Sequence, residues 1–523
     1  MPNRNSDILF QLIKSLQKAE KRNFKLYIKR SSNNEDLKII KLFDAMDKSS
    51  EYDEKILFKK VPEMDKSRLS NLKAHLYKEV LASLRLLKSS DSIELELNEQ
   101  LDYARILYNK GLYLQSLKIL EKVKESASSH SQDSFLLQAI SLEKKIEILH
   151  ITRSMGDRAD ILANEAIHVN ERRTSITQLS NLALQLYSWY VKVGHARNEE
   201  EEKNVKEFFK SHMPANTTGF NSFYEKLYLY QSYCWQAFIC QDFLMYYRYS
   251  QKWINLFEAN PAMIEVETGH YVKGLHNLLN AHFDLRNFKQ FDTTLNQLEE
   301  FANSPLGLQH DNFKINCFIY INVAKLNNYL MTGTFSEGLK LVSHIEDQLK
   351  EYEQFIDEHR ILVFNYKIAV LHYGCGNFDT AIDYLHKIIN ENVGLRTDLQ
   401  CYARLMHLMA HYELGNTTII ESLIKSVFRY MAKMKNFTIV EEEIFKFLRK
   451  SFFVSPRKLK PEFELLLNNI KHYEKNRFET RSFAYLDVIS WLEAKVYGKT
   501  MSEVVHDKYK SSKHSVEVVS LKS

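Results

Sequence analysis

Glycine and proline are scarce, 14 and seven in 523 residues, about 4% together against roughly 12% in an average chain. A sheet-rich fold needs both for its many turns, so their scarcity points to long helices. Cysteine is also rare. The five present (Cys234, Cys240, Cys317, Cys375 and Cys401) form no CxxC pair. An odd, widely spaced set supports neither a disulfide framework nor a structural zinc site, and reduced thiols in the cytoplasm are expected. No long apolar run occurs. The longest tempting stretch, Leu227 to Gln241, contains Gln, Ser and several Tyr, and is too short and polar to span a bilayer. The first residues show neither the apolar core nor the cleavage site of a secretory signal.

Hydrophobic residues make up 45% of the chain and charged residues 26%, which excludes a mainly disordered polypeptide. Aromatics reach 12%, mostly Tyr (29) and Phe (31), and supply large areas for helix packing. The length exceeds what one compact core organises, so several modules are expected. The net charge of +5 is unevenly spread, because residues 1–90 carry 20 Lys and Arg against 12 Asp and Glu. The basic excess belongs to the first module.

One pattern recurs along the chain. Apolar residues lead to a turn marker, an aromatic follows two residues later, and a second apolar stretch begins. It reads LYNKGLYLQSLKIL at Gly111, YLMTGTFSEGLKLV at Gly333, LHYGCGNFDTAIDYL at Gly376 and HYELGNTTIIESLI at Gly415. Weaker copies turn at Gly156 and Gly194, and two others place Gln241 and Arg286 at the marker. The mean spacing is about 43 residues, a period that indicates stacked helical hairpins. Two residues after the marker stand Tyr113, Phe243, Phe288, Phe335 and Phe378. Three residues before it stand Tyr108, Phe238, Phe283, Tyr373 and Tyr412. Glycine at the marker suits a helix that ends in a left-handed residue.

The order of small residue, Gly turn, aromatic and small residue (Ala104, Gly111, Tyr113, Ser116; Ala369, Gly376, Phe378, Ala381) resembles the tetratricopeptide repeat, whose period is 34. The resemblance covers about residues 93–450. It implies an all-α, right-handed superhelical α-solenoid of helical hairpins, flanked by an N-terminal helical module and a C-terminal helical cap. The expected divisions are a basic module at 1–90, the solenoid at 91–456, a cap at 457–498 and a flexible polar tail at 499–523. In the first module the pattern predicts helices at 7–30, 36–47, 53–60 and 67–88.

Signatures of catalysis are absent. The chain has no GxGxxG, no GxxxxGK[ST] and no GxSxG, so phosphate cradles and nucleophile elbows of those kinds are excluded. His407 and His411 have i, i+4 spacing but lack the Glu of a metalloprotease helix, and His282, His372 and His411 share one repeat position, which favours packing over metal binding. No enzyme activity, cofactor or metal is expected. The resemblance implies that first-helix residues line a concave groove for a protein or peptide. Tyr108, Trp235, Phe238, Asn280, Phe283, Asn327 and Tyr373 hold such positions. A second candidate surface is a basic stripe: Lys14, Lys18, Lys21, Arg22, Lys25 and Lys29 fall within about a 100° arc if residues 7–30 form one helix. The leading expectation is a cytoplasmic, non-enzymatic interaction scaffold. The alternative is a nucleic-acid-linked regulator whose residues 1–90 contact DNA or RNA while the solenoid senses a partner.

Overall fold

The computed structural model describes residues 7–30, 34–60, 66–88, 92–150, 157–391, 396–434, 437–451, 456–476, 478–479 and 485–520. It is all-helical, with no strand among the described residues. The chain divides into two compact units, Met1–Glu171 and Arg172–Ser523.

The first unit opens with α1 (Ile8–Ser15), α2 (Lys18–Lys29), α3 (Asn34–Asp47), α4 (Glu54–Lys60) and α5 (Lys66–Leu87). The helix expected over 7–30 is two helices. Leu16 and Gln17 are extended, and the Gln17 N–H donates to Glu20 at 2.8 Å, closing the start of α2. The break lets both segments reach one core, with Leu9 and Ile13 from α1 and Phe24 and Ile28 from α2. Leu69, Leu76 and Val80 of α5 join them. A separate core is built by α6 (Ile93–Asn109), α7 (Tyr113–Ser129) and α8 (Asp133–His150), reaching into α9 (Arg158–Val193).

In the second unit α10 (Glu199–His212) begins at the Glu199–Glu202 run, whose carboxylates sit at the positive end of the helix. There follow α11 (Phe223–Ile239), α12 (Phe243–Glu258), α13 (Ala262–Val266), α14 (Thr268–Asp284), α15 (Phe288–Ala302), α16 (Asp311–Thr332), α17 (Phe335–Leu339) and α18 (Val342–Glu351). Next come α19 (Glu358–Gly374), α20 (Phe378–Ile389), α21 (Thr397–Glu413), α22 (Thr417–Lys433), α23 (Ile439–Ser451) and α24 (Pro456–Lys471). The last two are α25 (Val488–Tyr497) and α26 (Met501–Ser520).

The turn markers are the joints between helices. All seven described markers have φ between 56° and 85°, including the non-glycine Gln241 and Arg286; Gly156 lies outside the described residues. At six joints the N–H one residue after the marker donates to the carbonyl four residues before it, at 2.9–3.1 Å. This bond closes a helix whose last carbonyls would otherwise lack partners. The aromatics at Tyr113, Phe243, Phe288, Phe335 and Phe378 are the first residues of the helices that follow. Packing is mostly between neighbours in sequence: α11 with α12, α12 with α14, α14 with α15 and α16, α19 with α20, and α20 with α21.

One segment departs from the expected flexible tail. Residues 501–520 form α26, which packs on α25 and returns to α16. Met501, Val504 and Val505 are buried, Ser502 Oγ donates to the Gly333 carbonyl at 2.5 Å, and Tyr509 meets Phe288 edge-on. Met501, Val504 and Val505, close together in the first turns of the helix, seat it.

Gly333 is where this docking is tightest. Its φ is +71°, and a Cβ there would lie 2.6 Å from His506 N and 2.7 Å from Ser502 O, whereas one at Gly376 would meet nothing within 4 Å. Gly376→Ala should therefore cost about 1–2 kcal/mol, the strain of a left-handed non-glycine residue. Gly333→Ala should cost more and unseat α26. Denaturant titration and amide exchange over 501–512 check this; equal costs with α26 still protected would refute the close contact.

Candidate functional site

Three first helices of the second unit present the same periodic face. On α14 it comprises residues 273, 276, 280 and 283, on α16 residues 320, 323, 327 and 330, and on α19 residues 360, 363, 367 and 370. The steps of three, four and three place each set along one side of its helix. These sides touch where His276 stacks on Tyr320 and Lys367 meets Asn327, and between them they surround a cavity of about 300 Å³. Tyr187 and Tyr190 of α9 and Trp235 and Phe238 of α11 form an aromatic wall. Tyr190 stacks on Trp235 and meets Phe238, with ring centroids 5.8 and 5.0 Å apart. Tyr485, Asp487, Met501 and Val505 line it from the C-terminal segment.

Five of the seven expected groove residues line this cavity: Trp235, Phe238, Asn280, Phe283 and Asn327. Tyr108 is in the first unit, where its hydroxyl lies 3.1 Å from His150 Nε2. Tyr373 is buried against Phe378 rather than exposed in a groove. The α19 residues on the cavity run from 359 to 370, so Tyr373 stands one turn beyond them.

The charged residues of the cavity are absent from the sequence-based set, and they dominate its chemistry. The Lys273 ammonium has no hydrogen bond or ion pair among the described residues; it lies over Trp235 at 5.6 Å and Tyr320 at 5.4 Å. Burial pushes it down to about 7, and the Arg360 guanidinium adds to the effect. Lys367 donates to Asn327 Oδ1 at 2.5 Å, and burial brings it to about 8, against the pull of Asp284. His276 stacks on Tyr320 at 4.2 Å and hydrogen-bonds Asn280 at 3.1 Å. Burial, then Lys273, Arg360 and Lys367, hold it well below the usual histidine value. Burial lifts Asp284 to about 7, opposed by Arg286 and Lys367. Arg396 is satisfied differently, paired with Asp398 at 2.9 Å where both side chains are buried.

Among the described residues no group of three or more His, Cys, Asp or Glu is arranged to hold a metal ion. His407 and His411 belong instead to a chain of imidazoles, with His407 Nε2 at 2.8 Å from His386 Nε2 and 3.3 Å from His411 Nε2. Burial first, then its histidine neighbours, bring His407 down to about 4, as neutral hydrogen-bonded rings require. No described helix is long and apolar enough to cross a membrane.

The basic stripe of the first unit is not the continuous arc expected. The break at Leu16–Gln17 separates Lys14 from the rest. Lys21 pairs with Asp47 and Lys25 with Asp44, both at 2.6 Å, and Lys14 donates to the Asp47 carbonyl at 2.7 Å. Lys18, Arg22 and Lys29 are exposed and have no ion pair among the described residues. Acids from α3, distant in sequence, thus neutralise part of the stripe.

The desolvation of Lys273 has a pH signature. Below pH about 7 the ammonium is charged in both folded and unfolded chains, so folding carries the full cost of burying it. As pH rises from about 7 toward the unfolded value near 10.4, the folded chain holds the neutral amine and the cost fades. Lys273→Met should raise the melting temperature most near pH 6 and progressively less by pH 10. A gain independent of pH would show that the ammonium is not desolvated.

No family model matches the chain, and neither a curated protein nor a solved structure matches it, so the cavity's own chemistry is what bears on function.

Proposed function

We propose that the second unit is a non-enzymatic binding module, a tetratricopeptide-like solenoid whose inner face receives a protein or peptide segment. The observation that carries this reading is the cavity itself. Twelve residues at equivalent steps on α14, α16 and α19 line a common space that their mutual contacts leave unfilled. Helices stacked only for stability bury such faces against one another, because interiors fill to crystal-like density. Here the faces hold Asn280, Asn327, Lys273 and Lys367 among aromatic rings. Side-chain amides between apolar anchors suit an extended backbone, and large rings such as Phe238 and Phe283 suit hot spots. The left-handed joints and neighbour-to-neighbour packing support the solenoid part of the reading. The pairing of Lys21 and Lys25 with acids favours this reading over nucleic-acid binding through residues 1–90.

Selection of peptides from a displayed random library against the full chain tests the reading. Peptides recovered on the wild type should bind about 30-fold or more weakly to the Phe238→Ala, Phe283→Ala double variant, in line with hot-spot losses of about 2 kcal/mol or more. Helical circular dichroism should be retained, showing that the variant is folded. Peptides that bind both proteins equally would place the receiving surface elsewhere.

A further inference from the structure

The backbone of a peptide lying along the inner face is met by amides and apolar pockets; the ammonium groups of Lys273 and Lys367 call for a negative charge. Lys273, Arg360 and Lys367 all act on His276 through space. Within the protein Lys273 and Lys367 have few partners. Lys273 has none with a charge, and Lys367 is held by the neutral amide of Asn327. Arg360, by contrast, is provided for, with Nη1 on Asn316 at 3.0 Å, Nη2 on the Tyr320 hydroxyl at 3.4 Å and Nε on Asp357 at 3.3 Å. Buried cations that are not paired cost stability unless something anionic meets them. Asp284 is the one carboxylate that acts on Lys367, and burial draws it toward its neutral form. The surroundings are flat. Trp235 and Tyr320 flank the Lys273 ammonium, His276 lies nearly parallel to Tyr320 at 18°, and Phe283 is 5.8 Å from the Lys367 ammonium. The volume of about 300 Å³ falls at the lower end of small-ligand pockets.

We propose that the cavity binds a small organic anion, a carboxylate or phosphate on a planar apolar body, with Lys273 and Lys367 on the anionic group and the ring among Trp235, Tyr320 and Phe283. The proposal rests on the reading of the inner face as a receiving surface, and adds the chemical class its deepest part selects. Charge-assisted hydrogen bonds from two ammonium groups in a desolvated site supply the affinity, and the aromatic walls supply the shape. A neutral molecule of equal size would leave the cations as they are.

The sign of proton linkage follows from the residues present. The titratable and charged groups of the cavity on α14 are Lys273, His276, Asp284 and, just past the helix, Arg286. Those on α16 and α19 are Tyr320, His359, Arg360, Tyr366 and Lys367. Tyr187, Tyr190, His195, Tyr246, Arg396, Tyr485 and Asp487 complete them. An incoming anion favours the protonated form of each group that titrates near neutrality. At pH 8 Lys273, lowered to about 7, is mostly neutral in the empty cavity. Binding there must take up protons, and affinity must fall as pH rises from about 7 to about 9.

The test is isothermal titration calorimetry on the full chain with phenylacetate and phenyl phosphate, using phenylacetamide and phenethylamine as neutral and cationic controls. Runs at pH 8 in Tris and in HEPES, whose ionisation enthalpies differ, read proton uptake directly. At least one anion should bind about tenfold or more tighter than phenylacetamide, with net proton uptake. Which of the two binds tighter tells whether the site selects a carboxylate or a phosphate. Lys273→Met should weaken that anion about tenfold and reduce the uptake, and Lys367→Met should weaken it independently, so one poorly folded variant does not decide the matter. No preference for either anion over phenylacetamide overturns the proposal, as does a preference that survives both substitutions. Library peptides that bind the inner face and are not displaced by the anions would leave the binding-module reading standing while this proposal falls with its own calorimetry.

Discussion

Every described hairpin of the repeat pattern turns on a single residue held at positive φ, and the arrangement of the second unit follows from that constraint. A helix that stops in the left-handed region can restart within two residues in a new direction, with its last carbonyls satisfied by the 6→1 bond. Repeated at Gln241, Arg286, Gly333, Gly376 and Gly415, the same turn brings equivalent faces of successive first helices to comparable positions. Gln241 and Arg286 adopt the conformation without glycine's freedom, at φ 57° and 56°. Gln241 donates from Nε2 to the Ala196 carbonyl at 3.2 Å, and Arg286 lies over Phe283 at 5.2 Å. These side-chain contacts offset part of the strain that a Cβ brings to the left-handed region.

Two kinds of buried cation stand in the same cavity, and the contrast separates structure from function. Arg396 is complete: its guanidinium meets Asp398 and the Tyr485 hydroxyl, its backbone N–H donates to the Val191 carbonyl, and Tyr402 stacks on Tyr485 at 4.5 Å. That group ties α9, the start of α21 and the C-terminal segment together, and needs nothing further. Lys273 and Lys367 are incomplete, with aromatic faces and an amide where a carboxylate would satisfy them. Local departures of this kind concentrate where a protein does its work, since packing alone would select against them.

The joints were legible because their signal is local. A left-handed residue and the aromatic that starts the next helix sit two positions apart, so Gly333 with Phe335 or Gly376 with Phe378 can be read from one short window. Counting back from those markers placed Trp235, Phe238, Asn280, Phe283 and Asn327 on one face, and the cavity collects all five. The same counting failed for Tyr373, because α19 meets the cavity one turn earlier than α14 and α16 do. Lys273 and Lys367 carry no local mark, each standing among mixed apolar and polar residues, as in HYVKGLHNLL and FNYKIAVLHY. An isolated lysine on a helix usually extends its head to water; that these two end in the cavity depends on residues 38 to 84 positions away in the chain, which no local window contains. The pairing of Lys21 with Asp47 and Lys25 with Asp44 escaped notice for the same reason.

Contacts among these helices run mostly between neighbours in sequence, so the space lined by α14, α16 and α19 stays open unless some segment comes back across it. In this chain α26 comes back. Ser502 and His506 hydrogen-bond to the Gly333 and Thr332 carbonyls, 169 and 174 residues away, and Met501 and Val505 become cavity wall. The glycine at position 333 therefore does two things at once. It turns α16 into α17, as every marker does, and by lacking a side chain it admits the backbone of α26. An open groove would leave Lys273 hydrated, with an ordinary lysine's proton affinity and little selectivity for anions. The Lys273 ammonium lies instead beside the rings of Trp235 and Tyr320, and burial there, with the Arg360 guanidinium adding to it, is what lowers it. The wall of the cavity is thus completed by the last helix near Gly333, while its cations are flanked by residues of α11, α14 and α16.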